Sequence, residues 1–273
     1  MCRFVAYLSH QPIILDSIIE KPVNSLVDQS RQAREGTLGL NADGVGIAWY
    51  DHTIDALPGV YKSIQPAWND QNLHHLASKI QSTCFLGHVR ASTVGDVNLY
   101  NCHPFTHEQF SFVHNGTIRC FDQIKRSLLR ALSDGSFALI NGQTDSECFF
   151  ALLIDTLYKK DIFSHCNPTL EQMEKAVISA IQYTNKLIHD TAFSRLNTAL
   201  TDGKRLIATR YVSDEAEDSL SLHYCIHKHS NGDPYIIVAS EPLTDYFQEW
   251  SEVPENHMIT IDEDFTIKWT SLN

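Results

Sequence analysis

The order in which apolar patterns change along the chain constrains its fold more than any other feature. Short runs rich in Val, Ile, Phe and Tyr come first, at 4–8, 45–50, 85–89 and 110–113, and read as strands divided by turn residues such as Asn41-Ala-Asp-Gly44. The segment between the last two carries Thr93, Gly95, Asn101 and Pro104 and reads as a loop. Three helical stretches follow. Ile124, Leu128, Leu129 and Leu132 recur at helical spacing behind Asp122, which is placed to cap them, and Asp134-Gly135 ends the stretch. A second helix begins near Thr144 or Asp145, with Phe149, Leu152, Leu153, Thr156 and Leu157 on its inner face, and a third spans about 169–189. Strand patterns return at 197–200, 205–211, 220–226, 235–240, 257–261 and 265–269. Asp202-Gly203 between the first two is a hairpin signal. Strands, then helices, then strands is the order expected when two mostly antiparallel sheets stack and helices cover their outer faces. The expected class is therefore α+β, a four-layer α/β/β/α sandwich. Periodicity alone does not select it over other α+β folds, so the choice leans on the chemistry.

A length of 273 residues fits one large layered unit, and neither a repeat nor a low-complexity linker divides it. A single domain over 1–273 is expected. A net charge of -12 without a run of Lys and Arg argues against nucleic acid and acidic lipid as partners. No stretch of eighteen apolar residues occurs, and the first twenty residues lack a basic segment followed by an apolar one, so the expectation is a cytoplasmic protein with no membrane contact. Seven cysteines, an odd number with no CxxC pair, fit a reduced compartment. Position rather than number must then single out a reactive thiol. The acidic stretch 213–218 reads as an exposed loop.

Cys2 is the thiol so marked. A methionine before a small residue is ordinarily trimmed, which would leave Cys2 with a free α-amine beside its sulfur. An α-amine titrates near ~8 and a thiol near ~8.5, so the amine can take the thiol proton without a histidine. His114-Asn115-Gly116 follows the strand at 110–113. Attack on an amide makes an oxyanion that needs two preorganised donors. The Asn115 side-chain NH2 and the Gly116 N–H can supply them, and Gly116 lets the backbone approach without a Cβ. Arg90, at the end of the strand at 85–89, offers a fork that matches a carboxylate. Asp145, in Thr144-Asp-Ser-Glu147, can receive an ammonium. An Arg and an Asp across one pocket recognise an amino-acid zwitterion. Each residue also has a plainer reading: Cys2 as a strand residue, Asn115-Gly116 as a turn, Arg90 as a surface charge, Asp145 as a helix cap.

Taken together, and with Asn41-Ala-Asp-Gly-Val-Gly46, Asn101-Cys-His-Pro-Phe105 and Ala239-Ser-Glu-Pro-Leu243 in the same order and spacing, these motifs resemble the class II glutamine amidotransferase family, which has the N-terminal-nucleophile fold. The likeness covers most of the chain. In order and spacing the motifs resemble a stand-alone branch that includes the γ-glutamyl hydrolase of ergothioneine synthesis and, with the greater likeness of the two, the amidohydrolase subunit of fungal glutathione degradation. The resemblance implies Cys2 as nucleophile, Asn115 and Gly116 as oxyanion hole, Arg90 and Asp145 as γ-glutamyl clamps, and Thr93 as a pocket wall. It implies hydrolysis of a γ-glutamyl compound, such as a glutathione-like peptide or related conjugate, to glutamate, with no cofactor and no metal.

Synthase-linked members usually carry Trp and His where this chain has Ala91 and Val94. That departure speaks against ordinary coupling of glutamine to a synthase. Two other readings stay open: a glutaminase subunit that supplies ammonia to a separate synthetase, and a non-catalytic partner subunit. A metallopeptidase-like or synthetase partner protein is implied only by the resemblance. His227-Lys-His229 and His74-His75 lack metal-ligand spacing and read as solvated histidines, and His103 and Glu241 read as residues that position loops.

Overall fold

A computed structural model describes residues 2–35, 39–92, 94–158, 168–188, 192–214 and 216–272. Its strands are β1 (Arg3–Ile14), β2 (Val45–Trp49), β3 (Gly59–Ser63), β4 (Gln81–Val89), β5 (Phe105–His107), β6 (Phe110–Ile118), β7 (Ser194–Thr201), β8 (Leu206–Arg210), β9 (His223–Lys228), β10 (Pro234–Ala239), β11 (Ser251–Glu252), β12 (His257–Ile261) and β13 (Ile267–Ser271). They form a seven-stranded sheet, β11-β9-β10-β1-β4-β2-β3, and a six-stranded sheet, β13-β12-β8-β7-β6-β5. All of these pairings are antiparallel. Helices α1 (Asp16–Ile19), α2 (Leu26–Arg31) and α3 (Gln71–Ala77) pack on the first sheet. Helices α4 (Phe121–Ala131), α6 (Asp145–Tyr158) and α7 (Leu170–Ile188) pack on the second, with α5 (Asp134–Phe137) against α6. This is the α/β/β/α sandwich.

Period-two alternation builds the layers. In β1, Phe4, Ala6 and Leu8 point between the sheets and pack with Leu86, Val113, Ala199 and Ile259. Val5 and Tyr7 point the other way, onto α1–α3. A buried side chain of this size contributes roughly 1.5–3 kcal/mol, and a one-residue slip would exchange the faces. The register of β1 is thus fixed by its core, and with it the direction of everything at the strand's start.

Some expectations needed correction. The cap of α4 is Cys120, in left-handed backbone at φ 55°, and Asp122 sits inside the first turn. Asp134-Gly135 does not end α4; it opens α5, which Ser133 caps. Helix α6 is buried nearly all round, Cys148, Phe150 and Ile154 included, because it lies between the second sheet and the helices outside it. The loop expected between 90 and 110 contains β5. His189, placed at the end of the third helix, lies outside the described residues.

Candidate active site

The register Arg3↔Val89 sets Cys2 beside Arg90 at the neighbouring ends of β1 and β4. Cys2 is half-buried, and its Sγ lies 3.4 Å from both main-chain groups of Ala91, donating to the carbonyl and accepting from the amide. Burial raises the thiol pKa; the Ala91 main chain and Arg90 oppose the rise, and Asp145 adds to it. A thiol held protonated in this way needs a base beside it to react at neutral pH.

The start of β1 is anchored from behind. Arg3 Nη1 donates to the Cys2 carbonyl at 2.9 Å, its Nε to Glu241 Oε1 at 2.7 Å, and its Nη2 to the Glu35 carbonyl. Glu241 is fully buried and also accepts from the amides of Arg34 and Glu35, at 2.9 and 3.0 Å. It clamps the 34–35 turn and Arg3 together, and also accepts from Asn24 Nδ2 at 3.3 Å, so it helps to position the backbone that carries Cys2.

In β6 the alternation sends His114 to the helix layer and Asn115 between the sheets. His114 Nδ1 lies 2.9 Å from Ser146 Oγ on α6. Asn115 Nδ2 donates to Ser240 Oγ at 3.3 Å, its second hydrogen has no acceptor among the described residues, and Ser240 Oγ in turn accepts from the Phe4 amide at 3.0 Å. Gly116 faces Leu196 across β6 and β7. The Leu196 amide donates to the Tyr211 carbonyl at 2.9 Å, and its carbonyl accepts from Thr209 Oγ1 at 2.7 Å, so both turn away from β6. In an antiparallel ladder the facing residue turns its groups the opposite way. The Gly116 N–H therefore points off β7, toward an edge that β5 does not reach. A Cβ on Gly116 would run into the Arg195 carbonyl and the His114 ring, which excludes other residues there.

Two residues on, the Ile118 N–H points to the same edge and is held by Asp145 Oδ2 at 2.8 Å. Asp145 Oδ1 accepts from the Ser146 amide at 2.9 Å. Asp145 is buried at the start of α6 and close enough to Cys2 to act on its thiol. Arg90 is buried as well. Its Nη2 donates to the carbonyls of Val94 and Gly95, at 2.9 and 3.4 Å, and to Ser92 Oγ at 3.1 Å; its Nη1 donates to the Asp96 carbonyl at 3.1 Å. Among the described residues no carboxylate pairs with it. Cys2, Arg90, Asn115, Gly116 and Asp145 thus gather at one end of the sandwich. Thr93 lies outside the described residues.

The family profile of class II glutamine amidotransferases matches residues 18–271. The chain belongs to that family. It is 37% identical to the probable glutamine amidotransferase DUG3 of Saccharomyces cerevisiae, over 96% of this chain and 82% of that protein. It is 29% identical to a gamma-glutamyl-hercynylcysteine sulfoxide hydrolase of Mycobacterium tuberculosis, over 96% of this chain and 94% of that one. Among solved structures, a glutamine aminotransferase class-II domain protein from Silicibacter pomeroyi superposes with a TM-score of 0.68 at 25% identity, covering 99% of both chains. Cys2 lies ahead of the stretch that the family profile matches.

Several residues of this class II amidotransferase chain were not legible as parts of the site. Ser240, which ties Asn115 to β1, and Ser146, which holds His114, lie far away in sequence; the Ala239-Ser-Glu-Pro-Leu243 and Thr144-Asp-Ser-Glu147 motifs contained them without giving either a role. Asp43 takes the Ser92 amide at 2.7 Å and so steadies the loop that wraps Arg90. Of the four histidines read as solvated, His75 is exposed, while three have partners: His229 Nε2 lies 2.9 Å from Ser9 Oγ, His74 Nδ1 2.9 Å from Glu20 and His227 Nε2 3.4 Å from Glu249. Among the described residues no group of three His, Cys, Asp or Glu side chains could hold a metal ion, and no helix is long and apolar enough to cross a membrane.

Proposed function

We propose that this chain is a Cys2-dependent hydrolase of γ-glutamyl compounds, acting as a single unit over residues 1–273. The observation that carries the reading is Arg90, a buried guanidinium near the candidate nucleophile whose acceptors are main-chain carbonyls and one hydroxyl. Such a cation suits the α-carboxylate of a glutamyl group. Asp145 Oδ2 has a lone pair left for the α-ammonium. With Met1 removed, the α-amine of Cys2 takes the thiol proton and the thiolate attacks the γ-carbonyl. The Asn115 Nδ2 and Gly116 N–H stabilise the oxyanion, the ammonium returns its proton to the departing nitrogen, and a γ-glutamyl thioester remains. Water activated by the same amine then releases glutamate and restores the thiol. Thr93 is proposed as a wall of the glutamyl pocket. The hydrolase from M. tuberculosis, named for a γ-glutamyl substrate, supports a peptide-like conjugate over free glutamine.

The experiment is glutamate release from glutamine, γ-glutamylcysteine and glutathione by wild type and by Asn115→Ala. Loss of one oxyanion donor is expected to lower turnover by about 10²–10³, with unfolding unchanged. Near-normal turnover in the variant would remove Asn115 from its role. A strong preference for glutamine would overturn the peptide reading.

A further inference from the structure

A cleft of about 480 Å³ opens beside the proposed catalytic end, lined by the buried Arg3 and Asn115, by Glu35, Arg195 and Arg210, and by the acidic Asp218 and Glu252. We infer that this cleft is the leaving-group subsite and that it takes a zwitterion, an amino acid or short peptide released from the γ-carbonyl, rather than ammonia. The inference rests on the hydrolase reading and adds the identity of the other half of the substrate.

Size comes first. A molecule as small as water occupies roughly 30 Å³, and ammonia is comparable, so a cleft of this volume exceeds what its release requires. Charge gives the orientation. The Glu35 carbonyl and the Cys2 carbonyl are both bonded to Arg3, so Glu35 belongs to the nucleophile end. Its carboxylate lies 3.0 Å from His223 Nε2 and is held in its ionised form chiefly by that contact, suited to a newly freed ammonium.

The arginines belong to the outer end. Arg210 Nε is fixed by Ser219 Oγ and the Leu220 carbonyl, both at 3.0 Å, and its Nη1 by the Val253 carbonyl at 2.8 Å. Arg195 Nε is fixed by the Asp218 carbonyl and its Nη2 by Glu217, both at 2.8 Å, with the guanidinium over the Phe193 ring. Among the described residues, Arg210 Nη2 and Arg195 Nη1 make no hydrogen bond. Two preorganised guanidiniums, each with a nitrogen to spare, form a carboxylate receptor. Glu252, paired with Arg210 at 2.8 Å, is more than half exposed and can yield to a substrate carboxylate. Arg195 also places this receptor next to the chemistry, because its carbonyl lies against Gly116 and accepts from His114 at 2.9 Å.

The test compares γ-glutamylalanine with its C-terminal amide on the wild-type protein, with glutamine alongside. The free acid should be favoured in kcat/KM by about tenfold or more, the worth of one hydrogen bond to a charged group. Arg210→Gln and Arg195→Gln should each bring that ratio toward one. The ratio is taken within each protein, so a misfolded fraction cancels. Equal use of acid and amide by wild type, or a ratio that both variants leave intact, overturns the subsite while leaving the hydrolase reading in place. Turnover of no γ-glutamyl compound at all overturns the hydrolase reading, and this inference with it.

Discussion

Arg3 and Arg90 stand side by side at the ends of paired strands and are equally buried, each 2% exposed, yet their surroundings differ in kind. Arg3 has a carboxylate, Glu241, at 2.7 Å, with both side chains almost wholly buried. Arg90 has dipoles: three main-chain carbonyls and a hydroxyl drawn from the loop at 92–96. An ion that leaves water without a counter-ion is costly. A closed pair is what holds a structure; a cation solvated only by its own loop is what a site keeps for an anionic ligand. The difference separates the machinery that positions Cys2 from the machinery proposed to hold the substrate.

The sharpest way to break that comparison is to remove the counter-ion from the closed side. Glu241→Ala leaves Arg3 buried and unpaired and releases the amides of Arg34 and Glu35, so a loss of about 3–5 kcal/mol in unfolding free energy is expected, measured by urea titration. A loss below about 1 kcal/mol would mean that carbonyls suffice for Arg3 too, and the two arginines would be alike. The next largest effect falls on the open side. Arg90→Lys keeps the charge but loses the fork, and kcat/KM for a γ-glutamyl substrate should fall by about 2 kcal/mol, roughly 30-fold, mainly through KM. Stability should stay within about 1 kcal/mol of wild type. A variant that unfolds readily but binds substrate normally would make Arg90 structural.

The contrast also shows what the sequence could carry. The existence of β1, β4 and β6 was readable from short apolar runs, but their phase was not: Phe4-Val-Ala-Tyr-Leu8 is apolar and buried on both faces, so packing between the two cores, rather than a pattern in the sequence, directs Cys2, Arg90 and Asn115 into the space between the sheets. The start of α6 at Asp145 was readable from a cap ahead of an apolar run. Arg3 was not, because its partner lies 238 positions away and nothing local distinguishes it from a surface charge. The same distance hid Ser240 behind Asn115 and Ser9 beside His229. Strands β5 and β11, of two or three residues, and helices α1–α3, of four to seven, are too short to show a pattern, whereas β3 was missed because Gly59-Val-Tyr-Lys-Ser63 lacks the apolar run that marked β2 at the same length. The cap of α4 failed differently: Asp122 is the right residue type, but left-handed backbone at Cys120 starts the helix without a side-chain bond.

The smallest effect tests whether Arg90 acts as a free charge at all. His88, two residues before it, is fully buried, stacks on His103 at a centroid distance of 4.0 Å and reaches the His114 carbonyl with Nε2 at 3.2 Å. Burial pushes its pKa down to about 3; the His114 carbonyl opposes this, while His114, Arg90 and Lys62 add to it. Burial likewise lowers His103 and His114. Between an unfolded value near ~6.5 and these lowered ones, the unfolded chain binds more protons than the folded one, so stability must fall as pH falls through that window. Each histidine adds a slope of about 1.4 kcal/mol per pH unit. Urea midpoints from pH 7 to pH 4 should therefore decline steeply, and His88→Gln should remove about one such increment of slope. Arg90→Gln takes away one of the charges that keep the His88 ring neutral, so its contribution should level off at a higher pH than in wild type. An unchanged limb would show that the carbonyls of 94–96 already cancel the charge of Arg90, and a cation cancelled by its own loop is no longer one kept for a substrate.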